Sequence, residues 1–133
     1  MTTLFNAHHL LLSQLVEDEQ LSSLVRGVFD YVPEETEFPC VVLSEVVASP
    51  QRTKTNKGVQ VEFSIEVWNV KTGKSEILNI LDCIEALLET KQIAEDAFFI
   101  SQEINSIEVL RDEETDYYQG KIKLKILMDM EEI

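Results

Sequence analysis

The chain has 133 residues, 44% of them hydrophobic, with 25 acidic against 11 basic residues and a formal net charge of −14. That length and apolar content suffice to bury a core, which excludes a wholly disordered chain and removes the need for disulfide or metal staples. The acidic excess repels nucleic acid and anionic membranes, so binding to either through a general basic surface is excluded as well.

The chain starts with an amphipathic segment. Leu4, His8, Leu11 and Leu15 recur at helical spacing, with Ala7 and Leu12 widening the stripe, which predicts a helix over 3–16. Thr2 or Thr3 supplies an N-cap. Glu17, Asp18 and Glu19 then crowd the carboxyl end, where the helix dipole disfavours them, so a break is expected there, with a short helical turn over 20–24. Val25–Tyr31 reads as a short strand. A loop with Pro33 and the acids Glu34, Glu35 and Glu37 follows, then the β-branched run Phe38-Pro39-Cys40-Val41-Val42-Leu43, a strand to about Val47.

Residues 48–58 contain Pro50, Asn56 and Gly58 without apolar periodicity and read as a loop. Val59, Val61, Phe63, Ile65 and Val67 alternate with polar residues up to Trp68, the clearest strand of the chain. A turn at Lys71-Thr72-Gly73-Lys74 leads to a second helix over 75–90, whose apolar face is Ile77, Ile80, Leu81, Ile84, Leu87 and Leu88. Strands over about 98–110 and 118–130 close the chain as a hairpin around Asp112-Glu113-Glu114-Thr115-Asp116. The order is α-β-β-β-α-β-β in one domain over 1–133. Short connections between adjacent strands argue for an α+β fold: an antiparallel sheet with two amphipathic helices on one face. The other face carries Glu62, Glu66, Lys121, Lys123 and Lys125, and is either solvated or covered by a neighbour. Leu11, Leu15, Val42, Phe63, Ile65, Ile80, Ile84 and Leu87 are the expected core.

The chemistry-bearing residues form no catalytic or metal-binding pattern. His8 and His9, the only histidines, are sequential and point about 100° apart on a helix, unlike the i, i+4 pairs of zinc sites; His8 reads as a packed helix histidine. The acids of 112–116 lack the spacing of a calcium loop and read as a solvated turn. Cys40 and Cys83 sit among apolar neighbours and read as buried free thiols, which implies a reducing compartment. No nucleophile elbow, P-loop or dinucleotide-binding glycine cluster occurs. No catalytic residue, cofactor or metal is therefore expected. The N-terminal segment lacks the basic start of a signal peptide, and no apolar run approaches a membrane span, so synthesis and folding in the cytoplasm are expected, with no membrane partner.

Arg52, Lys54 and Lys57 bring three of the 11 basic residues into one stretch free of acids. On so acidic a chain this cluster is the candidate assembly contact, with partners among the acids of an adjoining subunit or another protein, Glu34, Glu35 and Glu37 being the candidates.

Several pieces in their order resemble the tail completion, or tail terminator, proteins of long-tailed bacteriophages. They are the N-terminal helix leading into Val25-Arg26-Gly27-Val28-Phe29-Asp30, the acidic loop ending in Phe38-Pro39-Cys40-Val41-Val42-Leu43, the strand ending Ile65-Glu66-Val67-Trp68, the helix at 75–90, and Tyr117-Tyr118-Gln119-Gly120 before the last strand. Cys40 departs from the aromatic that many members carry after the proline. The resemblance implies a structural virion protein at the head-proximal end of the tail tube. It would form a ring, usually of six copies, that stops tube growth and joins the tail to the head connector or stopper protein. DNA would pass through the lumen without specific binding. Two other classes are open on the sequence: an acidic DNA mimic or inhibitor that binds a host DNA-binding protein, and a small metal-dependent hydrolase built on the acidic clusters.

Overall fold

The computed structural model describes residues 3–31, 34–35, 37–52, 57–70, 72–90 and 99–129. In chain order the elements are α1 (Thr3–Glu17), α2 (Glu19–Leu24), β1 (Val28–Phe29), β2 (Cys40–Arg52), β3 (Lys57–Asn69), α3 (Lys74–Thr90), β4 (Phe99–Arg111) and β5 (Tyr118–Asp129). The class is α+β, as the patterning predicts. The helix break falls at Asp18 for a local reason: its carboxylate accepts the Leu21 amide at 2.9 Å and caps α2.

The five strands form one sheet in the order β1-β2-β3-β5-β4. Every adjacent pair is antiparallel except β1 and β2, where Val28 and Phe29 run parallel to Val41 and Val42. The sheet is therefore mixed rather than wholly antiparallel. The 25–31 segment leads in from α2, and its backbone meets β2 in the same direction, Arg26 N–H donating to Pro39 O at 2.8 Å and Val41 N–H to Gly27 O at 3.0 Å. The intervening Phe38–Pro39 peptide is cis.

The expected loop over 48–58 is corrected by the structure. β2 extends to Arg52 and β3 begins at Lys57, and Ser49, Pro50, Gln51 and Arg52 pair with Gln60, Val59, Gly58 and Lys57. Apolar alternation fades there although the ladder continues, because backbone hydrogen bonds to β3 do not depend on side-chain hydrophobicity.

The helix-covered face of the sheet holds the core. Val61, Phe63, Ile65 and Val67 of β3 and Ile122, Leu124 and Ile126 of β5 are fully buried against Leu11, Leu15, Leu21, Ile77 and Ile84 from the three helices. All eight expected core residues are buried. Val42 lies outside the main cluster, because alternation turns it, with Cys40, to the opposite face. Two glycines fix how α3 lies. A side chain at Gly120 would put its Cβ 2.9 Å from Ile77 Cγ2 and Leu81 Cδ1, so glycine lets α3 press on the β5 backbone. At the start of α3, buried Asn69 donates from Nδ2 to Gly73 O at 3.2 Å and accepts the Val70 amide at 2.9 Å, closing the turn that aims the helix back over the sheet.

Candidate assembly surface

Alternation places a second set of side chains on the face without helices. Three lysines of central strand β5 lie there, each between β3 and β4 neighbours. The rows read Glu66–Lys121–Glu108, Ser64–Lys123–Ser106 and Glu62–Lys125–Glu103. Lys125 Nζ lies 2.6 Å from Glu103 Oε1, and Asn105 donates to Glu62 Oε2 at 3.1 Å. Beside these rows Trp68 Nε1–H donates to Glu66 Oε1 at 3.0 Å. Such alternation offsets charge locally: three lysines stand against Glu62, Glu66, Glu103 and Glu108 in these rows and Glu45 at the β2 end of the middle one, a small excess beside the −14 of the chain. The acids that set the net charge lie chiefly on the helices and turns.

Periodicity alone does not place Glu103 and Glu108 on this face together. They are five residues apart, an odd spacing that a period of two assigns to opposite faces. The bulge between Ile104 and Ser106 absorbs one residue and returns both to the same face.

Glu34, Glu35 and Glu37 are exposed in the connection before β2. Arg52 and Lys57 are register partners at the far end of the β2–β3 hairpin, and Lys54 lies outside the described residues. The 13 residues of β2 separate the acids from the cations by about 40 Å at the usual strand rise. The structure does not bring the two groups together within one chain.

The other singled-out residues have structural partners. His8 Nε2 lies 3.3 Å from Asp30 Oδ2, tying α1 to the segment after β1, and its ring lies over Phe63 at a centroid distance of 6.3 Å. His9 stacks on Phe5. The turn at 112–116 is held from within: Asp116 N–H donates to Asp112 O at 2.8 Å, Thr115 Oγ1–H to Asp112 Oδ2 at 2.7 Å, and Asp116 takes a φ of 63°. Arg111 pairs with Asp116 at 3.2 Å. Both cysteines are buried free thiols. Burial pushes the Cys40 thiol up to about 11. Burial also raises Cys83, with the negative charge of Asp18 adding to the effect. Thiolates, the reactive form, are thereby disfavoured at both positions. Among the described residues no three His, Cys, Asp or Glu side chains converge in a metal-holding group, and no helix is long and apolar enough to cross a membrane.

Comparison with known proteins adds a decisive observation. The family model described as "Tail completion protein gp17" matches residues 9–129. The chain belongs to this tail completion family. It is a structural protein of the virion tail and not an enzyme. Among solved structures, a chain in the virion of a native gene transfer agent particle superposes with a TM-score of 0.78 at 19% identity, covering 90% of this chain and 92% of that one. The bacteriophage SPP1 gp17 protein superposes with a TM-score of 0.59 at 15% identity, covering 96% and 90%. At such identities the likeness is one of fold. No curated protein matches the sequence.

Proposed function

We propose that this tail-completion protein closes into a ring, of six copies, at the head-proximal end of the tail tube. There it ends tube growth and joins the tail to the head connector or stopper protein, and DNA passes through the lumen without specific binding. Family membership over 9–129 carries the reading. A ring requires a heterologous contact that closes on itself, and a sheet whose β4 and outer β2 have no further strand beside them among the described residues has the parts for one. The DNA-mimic alternative gains nothing from the open sheet face, where lysines intervene between the glutamates instead of leaving an array of negative charge.

Within such a ring the two charged clusters belong to opposite rims. The acids at 34, 35 and 37 precede β2, whereas Arg52 ends it and Lys57 pairs with Arg52, so rotation about an axis along the strands keeps acids and these cations apart. We assign the Arg52, Lys54 and Lys57 cluster to contact with an acidic surface of one axial neighbour, the tail tube protein or the connector. Glu34, Glu35 and Glu37 face the other. Each exposed pair is worth only ~0.2–1 kcal/mol, but symmetric repetition multiplies the effect. Changing all three cations to serine should leave the melting temperature of the free protein within about 2 °C, given the small value of exposed pairs, while lowering incorporation into tails. Normal incorporation at physiological salt would remove the cluster from the contact. Electron microscopy of purified particles tests the ring itself: density for this protein anywhere but in a closed ring at the head-proximal end would refute it.

A further inference from the structure

Resting on the ring reading, we infer that the seam between copies is a continuation of the β-sheet, with the free edge of β2 pairing antiparallel with the β4 edge of the next copy. The occupant of each edge is thus a second copy of this chain.

The first support is what the edges lack. An open edge is usually blunted by lysine, proline or a covering element. β1 covers β2 only at Val41 and Val42, which leaves Glu45–Arg52 without an outer partner among the described residues. β4 has no outer partner there either, and it contains no lysine or proline. Pro50 lies near the far end of β2. Apart from Lys57 at the start of β3, the lysines of the sheet stand on the inner strand β5. Both edges expose aliphatic side chains: Val46 is 44% exposed, Val47 54%, Ile107 40% and Leu110 49%.

Direction is the second support. β2 is antiparallel to β3, β3 to β5 and β5 to β4, so β2 and β4 run oppositely. Rotation about an axis along the strands preserves their directions. It therefore brings β4 of one copy antiparallel to β2 of the next, the relation already found at three of the four contacts in the sheet.

Register is the third. Each edge has one bulge, between Leu43 and Glu45 and between Ile104 and Ser106, leaving the regular runs Glu45–Arg52 and Ser106–Arg111. Within one chain Glu45 stands in the row of Ser64, Lys123 and Ser106. Pairing a neighbour at that level would set the Asn105 bulge between the partners of Glu45 and Val46. A shift along β4 from Ser106 to Leu110 avoids it. Glu45 then faces Leu110, and Val47 faces Glu108, on the open face. On the helix side Val46 faces Val109 and Ala48 faces Ile107, a wholly aliphatic row. That shift is four residues over the four strand steps from one β2 to the next. One residue per strand is the stagger of closed barrels whose strands tilt by about 36°.

The test is disulfide trapping in particles purified from the producing cell. Val47→Cys combined with Glu108→Cys should give, on oxidation, a ladder of covalent oligomers ending in a closed species on a non-reducing gel. Either single variant should stay monomeric, since Cys40 and Cys83 are buried. Val47→Cys with Glu103→Cys, the unshifted pair, should be silent. A second arm needs no disulfide. Ala48→Glu should leave the free protein's melting temperature unchanged and cut incorporation at least tenfold, and added Ile107→Lys should restore it. Particles that contain the V47C/E108C variant as a ring but yield only monomer would overturn the seam and leave the ring reading intact. So would wild-type incorporation of Ala48→Glu, or cross-linking by the unshifted pair. Particles without any ring of this protein would overturn both.

Discussion

The two faces of one sheet are built on different physics. The helix-covered face is a continuous aliphatic layer, with Val61, Phe63, Ile65, Val67, Ile122, Leu124 and Ile126 fully buried. The open face uses the alternate positions of the same strands for lysine–glutamate rows whose side chains remain partly in water. Removing apolar surface from water supplies most of the folding free energy, whereas solvated charge pairs add little. Strands β3 and β5 therefore hold the fold together through one side and leave the other free to carry surface chemistry at small cost in stability.

This contrast makes its strongest prediction on the covered side. Phe63→Ala should cost ~3–5 kcal/mol and Leu87→Ala ~2–5 kcal/mol in denaturant unfolding, since both truncations leave cavities that packed helices fill only in part. A loss under about 1 kcal/mol at Phe63 would break the claim that this face carries the fold.

Cys40 gives a test of intermediate size, because it lies on the open face and is nevertheless 2% exposed. Its folded pKa is raised from 9.0 to about 11, so the unfolded chain loses the thiol proton first. The contribution to stability is complete below pH 9 and is lost as pH rises from 9 through about 11, on the order of 2–3 kcal/mol. Comparing the stability of the parent with Cys40→Ala across that window should show a shallower decline in the variant. Parallel curves would mean that Cys40 is not shielded as its burial implies.

The smallest effect belongs to the lysine rows. Lys125→Ala removes the Glu103 pair and should cost less than ~1 kcal/mol, falling further in high salt. A cost comparable to that of Phe63→Ala would erase the distinction between the faces.

Much of this was legible in the sequence. The alternation over 59–68 and the stripe over 75–90 gave strand, helix and buried face together, because one apolar environment selects both periodicities. The fold class and the expected core follow from them, and so does the hairpin around the acidic turn. Three features were not legible. The outer half of the β2–β3 hairpin lacks apolar alternation, so local patterning predicts a loop at Arg52 and Lys57 although each belongs to a strand ladder. The parallel pairing of β1 depends on where α2 releases the chain. Glu103 and Glu108 reach the lysine face only through a bulge, which no periodicity reveals.

By itself, then, the sequence determined the class of fold, the members of the core and the kinship with tail completion proteins, since apolar periodicity and the order of elements are local properties of the chain. Tertiary structure alone decided which charges meet. It set Lys121, Lys123 and Lys125 between two rows of acids and serines, put Glu34, Glu35 and Glu37 a strand's length from Arg52, and left β4 and the part of β2 beyond β1 without an outer strand among the described residues. Strand order and register bring together residues up to scores of positions apart, and local patterning carries no information on which strand lies beside which.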